Sequence, residues 1–375
     1  MLKKCVFFLV PLALMAQQGQ QPPPPPQKVT PPHHEMPPIT PPTGPLPERT
    51  VSFVLDAEFL YWYATTTNLA YATKYIVFSA GDSTNPGARF VAPEKIYEPR
   101  WRWDRGTRVG LGLKTNYDGW DIYGDWTWYY VSTTDSTRVP IYASNNLILN
   151  PVGTEALASP WLANGTSSNF NSIQTRWGVQ LNQFDLELGR QFFISPKLIL
   201  RPFGGLRGHR SRMFLKVQGN YGDLAQELAR RTQKFWAVGL LGGLESQWKL
   251  SRSWSLFIDW AFSLIYGPFD SHTHLQSFAT NANNQVTSNF DQRFRHDDLY
   301  TLQQVYDLAI GIRWELPISQ SDCRLRFDAG WENHLYPGYN HLDANVSASG
   351  NGTTYLPAEG DLTLSGVVLR GQVEF

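Results

Sequence analysis

The feature that most constrains the fold of this chain is a two-residue alternation of apolar and polar side chains, which recurs from residue 51 to the end. In 254–267, for example, every second residue from Trp254 to Tyr266 is apolar, and mostly small or polar residues lie between them. Strict alternation indicates a β-strand with two different faces. Ten segments show it, namely 52–63, 107–114, 120–131, 172–190, 196–214, 232–249, 254–267, 299–315, 322–336 and 361–375.

The connections between these segments alternate in length. Long connections span 64–105, 133–171, 215–231, 268–298 and 337–360, and short ones span 115–119, 191–195, 250–253 and 316–321. A soluble β-sandwich would also alternate, but it needs neither this rhythm nor an aromatic-rich face on nearly every strand. Bacterial outer membrane barrels have short periplasmic turns and long extracellular loops. We therefore predict an all-β transmembrane antiparallel barrel of about ten strands, with twelve as the alternative, whose apolar faces contact lipid.

One segment departs from a single alternation. In 172–190 the apolar residues are odd-numbered up to Leu181 and even-numbered from Phe184 onward. An extra residue in one strand would restore the alternation, and such bulges are common in barrels. We therefore predict a β-bulge near Asn182 and Gln183.

The composition excludes two other classes of protein. The formal net charge is zero, whereas nucleic-acid-binding proteins normally carry a basic excess. The mean hydropathy is −0.32, and no apolar run after residue 16 approaches the roughly 18 residues of a helical membrane span. Aromatic residues make up 14% of the chain and charged residues only 17%, which suits rings at a membrane interface. The composition therefore favours an outer membrane barrel that does not bind nucleic acid.

The first 50 residues differ from the rest. Lys3 and Lys4 precede an apolar stretch that ends before Ala16, so we predict a signal peptide over 1–16. Residues 17–50 hold 13 of the 26 prolines and predict a disordered periplasmic tether, which could contact peptidoglycan. The barrel then occupies 51–375, and the protein is expected in the bacterial outer membrane.

Several stretches carry a family resemblance. LDAEFLYWYATTTNLAYA at 55–72, RVGLGLKTNYDGWDIYGDWTW at 108–128, FDLELGRQFFISPKLILRPFGGLRG at 184–208 and the closing DLTLSGVVLRGQVEF at 361–375 are the most specific. They resemble the pore-forming outer membrane proteins of Legionella and chlamydia-like bacteria, which are called MOMP-like. The resemblance covers essentially all of 52–375, and it implies an abundant surface barrel with porin activity.

Residues opposite the apolar faces are expected to line the lumen. The candidates are the acidic residues Asp56, Glu58, Asp121, Asp125, Asp185, Glu187, Asp259, Asp307, Asp328 and Glu332, and the basic residues Arg108, Arg201, Arg207, Arg313, Arg324, Arg326 and Arg370. Charges of both signs set the selectivity of a pore, but their pairing also braces the wall of a barrel narrow enough to be filled. Two functions therefore remain open: a passive diffusion pore for small solutes or ions, and a structural or adhesive surface barrel with a largely filled lumen.

Catalytic signatures are weak. The sequence contains no G-x-S-x-G motif and no phosphate-binding loop. Charged residues in 268–298, including Asp270, His272 and His274 with His296, Asp297 and Asp298, could imitate a protease site at the barrel rim, but long charged loops often contain such groups. We predict no enzyme activity, no cofactor and no metal. The expected partners are outer membrane lipid, a second copy of the chain, host cells, and the assembly machinery that would read the terminal Phe375.

Overall fold

The structure, a computed structural model, describes residues 51–79, 90–141, 151–162, 170–222, 225–280, 286–318, 323–349 and 352–375. The predicted signal peptide (1–16) and tether (17–50) lie outside these residues. Within the described ranges, no helix is long and apolar enough to cross a membrane.

The regular elements of the described chain are β-strands. Their bounds are β1 (Val51–Thr66), β2 (Ala72–Ser79), β3 (Phe90–Tyr97), β4 (Arg102–Thr115), β5 (Trp120–Arg138), β6 (Glu155–Ala158), β7 (Ser172–Arg190), β8 (Phe192–Phe193), β9 (Leu198–Tyr221), β10 (Ala225–Lys249), β11 (Trp254–Thr280), β12 (Val286–Pro317), β13 (Arg324–Tyr336), β14 (Asp343–Ser349), β15 (Gly352–Pro357) and β16 (Leu362–Glu374).

Ten of these strands close into one antiparallel barrel, which confirms the predicted fold. Their order around the ring is β1-β4-β5-β7-β9-β10-β11-β12-β13-β16, and β16 pairs with β1 from Val54↔Glu374 to Thr66↔Leu362. The start of β1 and the end of β16 lie at the end of the barrel that carries the short connections. In outer membrane barrels the short turns are periplasmic, so this end is assigned to the periplasm and the opposite end to the cell exterior.

The outward face of the periplasmic half is apolar on every barrel strand, as predicted. On β11 the alternate residues Trp254, Ile258 and Trp260 remain 45–50% exposed, and Ser255 between them is buried. Phe59 on β1 and Leu308 on β12 are similarly exposed. These side chains form a belt that would contact lipid, and the polar positions between them turn toward the lumen.

The predicted bulge near Asn182 and Gln183 is wrong. β7 pairs with β5 and with β9 without any register shift through these residues. Odd-numbered residues point inward along the whole strand, so Leu181 and Asp185 both lie inside the barrel. The apolar residues of β7 change from odd to even numbers at the height where the strand enters the membrane. Within the membrane the outward side chains are apolar and the inward ones polar. Beyond the membrane the inward side chains are apolar and the outward ones polar.

Two predicted loops are also largely strand. β9 and β10 extend through most of 215–231, and β11 and β12 through most of 268–298. The backbone stays extended there, but the outward face is polar beyond the membrane, so the apolar alternation that marks a strand disappears. The other long connections carry a three-stranded sheet of β2, β3 and β6 and a hairpin of β14 and β15.

Candidate functional site

The extracellular half of the barrel interior is filled by packed apolar side chains, which we call the apolar plug. Part of it comes from inward residues of the barrel strands, such as Trp62, Trp177 and Phe235, each at most 1% exposed. The rest comes from the long connections, which fold inward and contribute Leu69, Tyr71, Leu157, Trp161, Leu162, Tyr339 and Leu342. Each of these side chains is at most 1% exposed, so together they form a packed layer.

Polar side chains of the wall hold the inserted connections in place. The Gln233 Nε2 donates a hydrogen bond to the Tyr339 carbonyl at 2.8 Å, and the Gln233 Oε1 accepts one from the His341 amide at 2.7 Å. The guanidinium of Arg231 donates to the carbonyls of Trp161 and Asp343. These bonds satisfy loop backbone groups that the plug removes from water.

Beneath the plug lies a polar cavity of about 230 Å³, which we call the charged chamber. Within the described part of the chain, eleven carboxylates and eight Lys or Arg side chains line it. They are Glu58, Asp121, Asp125, Asp185, Glu187, Glu245, Asp259, Asp307, Glu315, Glu332 and Glu374, and Arg108, Lys114, Arg201, Arg207, Arg313, Arg324, Arg326 and Arg370. The lining reaches the periplasmic strand ends and carries more acidic than basic groups.

Ion pairs cross the chamber between strands that are far apart in sequence. The Arg108 Nη1 on β4 lies 2.7 Å from Glu58 Oε2 and 3.0 Å from Glu332 Oε1. The Arg370 Nε lies 2.5 Å from the other oxygen of Glu58. Glu58 is therefore shared by two guanidiniums, which suits a carboxylate that is only 3% exposed.

A second cluster surrounds Arg207, which is also 3% exposed. It contacts Asp185 on β7 at 2.7 Å and Asp307 on β12 at 2.6 Å, so it spans the interior. Asp307 also lies 2.7 Å from Nδ1 of His334, whose Nε2 lies 3.3 Å from Glu332. His334 thus links the Arg207 cluster to the Arg108 cluster.

Two further clusters complete the network. Asp328 on β13 accepts hydrogen bonds from Arg313 at 3.0 Å and from Arg326 at 2.6 Å. Arg201 on β9 contacts Asp121 at 2.6 Å, Glu187 at 3.0 Å and also Glu245. Most predicted lumen charges are therefore paired in the static structure.

All seventeen predicted pore-lining residues lie on the inward face of their strands. The two outside the cavity lining still take part in its wall: Asp328 pairs as described, and Asp56 accepts a hydrogen bond from the Tyr123 hydroxyl. Arg324 differs because it is exposed at the periplasmic rim. The sequence interpretation missed Glu245, Glu315 and Glu374. Each lies opposite the apolar face of an alternating strand, so the rule that predicted the other lumen residues also applies to these three.

The rim residues that could imitate a protease are divided between the two faces of the barrel wall, with Asp270 and His272 near Asp298 and Asp297 on the outer face. A register shift between Phe269 and Ser271 turns His296 inward, where its Nδ1 lies 3.9 Å from Asp343. His272 and His274 face outward and lie 3.4 Å from Asp297 and 3.0 Å from Asp291, respectively. Among the described residues, no group of three or more His, Cys, Asp or Glu could hold a metal ion.

The terminal Phe375 closes the ring. Its amide and carbonyl exchange hydrogen bonds with the backbone of Phe53 at 3.0 and 2.9 Å, and the two rings stack with centroids 6.0 Å apart. Phe375 remains 41% exposed on the lipid-facing side. The residue predicted as an assembly signal thus lies at the seam of the barrel.

Comparison with solved structures finds other outer membrane barrels. The outer membrane protease OmpT from Escherichia coli has a TM-score of 0.38 and 11% identity, over 89% of this chain and 99% of that chain. The CymD monoaromatic hydrocarbon channel has a TM-score of 0.30 and 8% identity, over 87% and 88%. A FadL homologue from Pseudomonas aeruginosa has a TM-score of 0.24 and 7% identity, over 87% and 90%. These likenesses are too weak to carry an argument about activity.

Comparison of the sequence with curated proteins finds no match. Comparison with family models finds a clear one. The family model described as the Legionella pneumophila major outer membrane protein precursor matches residues 45–375, which include the whole barrel and its terminal strand. The chain therefore belongs to the Legionella major outer membrane protein family and is an outer membrane β-barrel.

Proposed function

We propose that this protein is a gated, porin-like pore for small solutes or ions, and that the structure represents its closed state. The observation that carries the proposal is the charged chamber, whose lining holds eleven carboxylates and eight Lys or Arg side chains. Burying charges is costly even when they are paired. A barrel that served only as a wall would be expected to fill this space with uncharged side chains.

The lining also indicates a preference. Rings of acidic side chains favour cations in a pore, and carboxylates are in excess along the chamber. We therefore expect small cations to pass more readily than anions once the pore is open.

The gate in this proposal is the part of the apolar plug supplied by the connections. The segment from Pro337 to Leu342 inserts Tyr339 and Leu342, and side chains such as Gln233 hold its backbone in place. Loops have fewer backbone restraints than barrel strands and are the usual moving parts of a structure. Withdrawal of this segment would join the chamber to the extracellular side.

A second candidate is a structural or adhesive surface barrel with no conductance. The same plug favours it, because Leu60, Trp177, Tyr339 and Leu342 have at most 1% exposure and form a continuous packed layer. In this case the ion pairs of the chamber would only brace the wall. Neither candidate includes a catalytic step.

Planar-bilayer conductance of the purified, refolded full chain distinguishes the two. The pore predicts discrete current steps and a reversal potential that favours cations in a salt gradient. Heat-modifiable mobility on a gel first establishes that the barrel is folded. The absence of current, both in the native chain and in a variant with a weakened plug, would leave the structural barrel as the function.

A further inference from the structure

Six basic side chains form a group on the outer surface of the barrel, just beyond the membrane belt. All six occupy outward positions on the adjacent strands β7, β9 and β10. We call this group the basic patch, and its members are Arg176, Arg210, Arg212, Lys216, Arg230 and Lys234. The patch lies outside the lumen, so its role depends on the outer membrane location and not on whether the lumen conducts.

The patch is arranged by strand register. Arg176 lies directly opposite Lys216, which in turn lies opposite Arg230, so three cations cross three strands in one row. Arg212 and Lys234 form a second opposed pair, four residues along the strands. At about 3.3 Å per residue the two rows are roughly 13 Å apart. Like charges in directly opposed positions destabilise a sheet, so this arrangement calls for a compensating anion.

The protein does not supply that anion within the described residues. Some cations elsewhere on the surface have carboxylate partners, such as Arg190 with Asp118 at 2.6 Å. None of the six patch residues has such an ion pair in the part of the chain that the structure describes. Asp270 on β11 lies opposite Lys234, but its Oδ1 accepts a hydrogen bond from the amide of Asp298 at 3.1 Å.

The patch begins where the apolar belt ends. Trp236 is 56% exposed and lies directly opposite Arg210. Phe184 on β7 is 53% exposed, and the next outward position toward the cell exterior is the polar Asn182. Aromatic residues mark the membrane interface in such barrels. The cations therefore lie at the height of the head groups of the outer leaflet.

One patch residue is already held in place. The Arg176 Nε donates a hydrogen bond to the Ser132 Oγ at 3.2 Å, and its guanidinium lies 5.9 Å from the centroid of the Phe214 ring. Phe214 occupies an outward position between the two rows. Guanidiniums bind phosphate oxygens with good geometry, and an ordered side chain loses less conformational freedom on binding.

We infer that the basic patch binds the phosphorylated sugar head group of an outer-leaflet glycolipid. Phosphate monoesters carry the negative charge that these cations lack within the described residues. Two phosphates on one head group could each bind one of the two rows of cations. The exposed Trp236 and Val238 directly below would contact the acyl chains of the same lipid. This combination of cations above and apolar side chains below favours a lipid over a soluble acidic partner.

Native mass spectrometry of the detergent-solubilised full chain tests the inference with diphosphorylated lipid A and a chemically dephosphorylated lipid A as probes. The test variant replaces Arg212, Lys216, Arg230 and Lys234 with Gln. The control replaces Lys197 and Arg252 with Gln, because both are exposed in periplasmic turns. We expect at least tenfold weaker binding of the diphosphorylated lipid by the test variant, no change in the control, and weaker binding of the dephosphorylated lipid by the native chain.

Other outcomes would overturn the inference. Equal affinity of the native chain and the test variant for diphosphorylated lipid A would show that the patch is not the binding surface. Equal affinity of the native chain for both lipids would show that the phosphate groups are not recognised. Displacement of the lipid by millimolar inorganic phosphate would indicate a simple anion patch. Heat-modifiable mobility of each variant verifies that its barrel is folded.

Discussion

The indole of Trp62 lies against the imidazole of His334, with ring centroids 4.7 Å apart. Trp62 belongs to the apolar plug, whereas His334 bridges Asp307 and Glu332 at the top of the charged chamber. Only β16 lies between their strands in the ring, so the two inward side chains meet over the inner surface of β16. It marks the level at which the interior changes from ionic to apolar.

Weakening the plug is expected to open the pore. Tyr339 is fully buried, and its hydroxyl is hydrogen-bonded to Ser211. Tyr339→Ala should leave a cavity and lower the free energy of unfolding by about 3–5 kcal/mol, the usual cost of removing a buried aromatic ring. Bilayer recordings should then show more frequent or larger current steps than the native chain.

A matched control for this variant is Tyr117→Ala. Tyr117 is 78% exposed in a periplasmic turn, so its removal should change neither stability nor current. Current that stays at the native level in folded Tyr339→Ala would contradict a gate at this position.

The ion pairs of the chamber are expected to brace the barrel. Asp328 is 4% exposed and accepts hydrogen bonds from both Arg313 and Arg326. Asp328→Asn would leave the buried guanidinium of Arg313 and the half-buried one of Arg326 without their countercharge and should cost roughly 3–5 kcal/mol. Asp118→Asn, at the exposed pair with Arg190, should cost no more than about 1 kcal/mol. Urea unfolding in lipid vesicles measures both, and equal effects would argue against bracing.

The two arginines at the start of β13 should differ in their effect on selectivity. Arg324 is exposed at the rim, whereas Arg326 lies 2.6 Å from Asp328. Arg324→Glu should shift the reversal potential toward cations, because it replaces a positive charge at the entrance by a negative one. Arg326→Glu should mainly reduce folding. An unchanged reversal potential in Arg324→Glu would place this residue outside the permeation path.

The sequence predicted the wall of this barrel better than its interior. Alternation identifies the face on which Asp185 or Asp307 lies, and the positions of turns give the strand count. It does not identify partners, because Arg207 pairs with a carboxylate 100 residues away in the sequence. Sequence reasoning does not predict the plug, for a related reason. The bulge predicted near Asn182 places Leu181 on the lipid-facing side of β7, whereas the regular strand turns it inward. A buried interior and a membrane both favour apolar side chains, so alternation alone cannot distinguish them.

Loss of the terminal residue should reduce barrel assembly. Phe375 exchanges two backbone hydrogen bonds with Phe53 and stacks on its ring at the seam between β16 and β1. Deleting it removes both bonds and one edge of the closing strand pair. We expect a smaller heat-modifiable, membrane-inserted fraction at unchanged total synthesis, whereas Leu250→Ala, at a 63% exposed turn residue, should behave as the native chain. A normal inserted fraction without Phe375 would exclude a role in assembly.

Acid is expected to loosen the plug through His341, which lies in the connection above the membrane strands. Burial lowers the pKa of His341, and the charged groups around it are Glu359, His296 and Asp343. Its ring packs on Phe269 with centroids 4.3 Å apart. An imidazole whose folded pKa is lowered binds its proton more readily in the displaced or unfolded state. The stability of this packing is therefore fully present above the usual histidine pKa of about 6.5 and is lost as pH falls below it.

Conductance should accordingly rise between pH 7.5 and pH 5 if the pore is gated at this connection. His341→Phe keeps an aromatic ring against Phe269 but cannot be protonated, so its conductance should vary less with pH. His274→Gln is the control, since His274 faces outward beside Asp291 and should retain the native pH response. The same pH response in His341→Phe and in the native chain would assign the titration to another group.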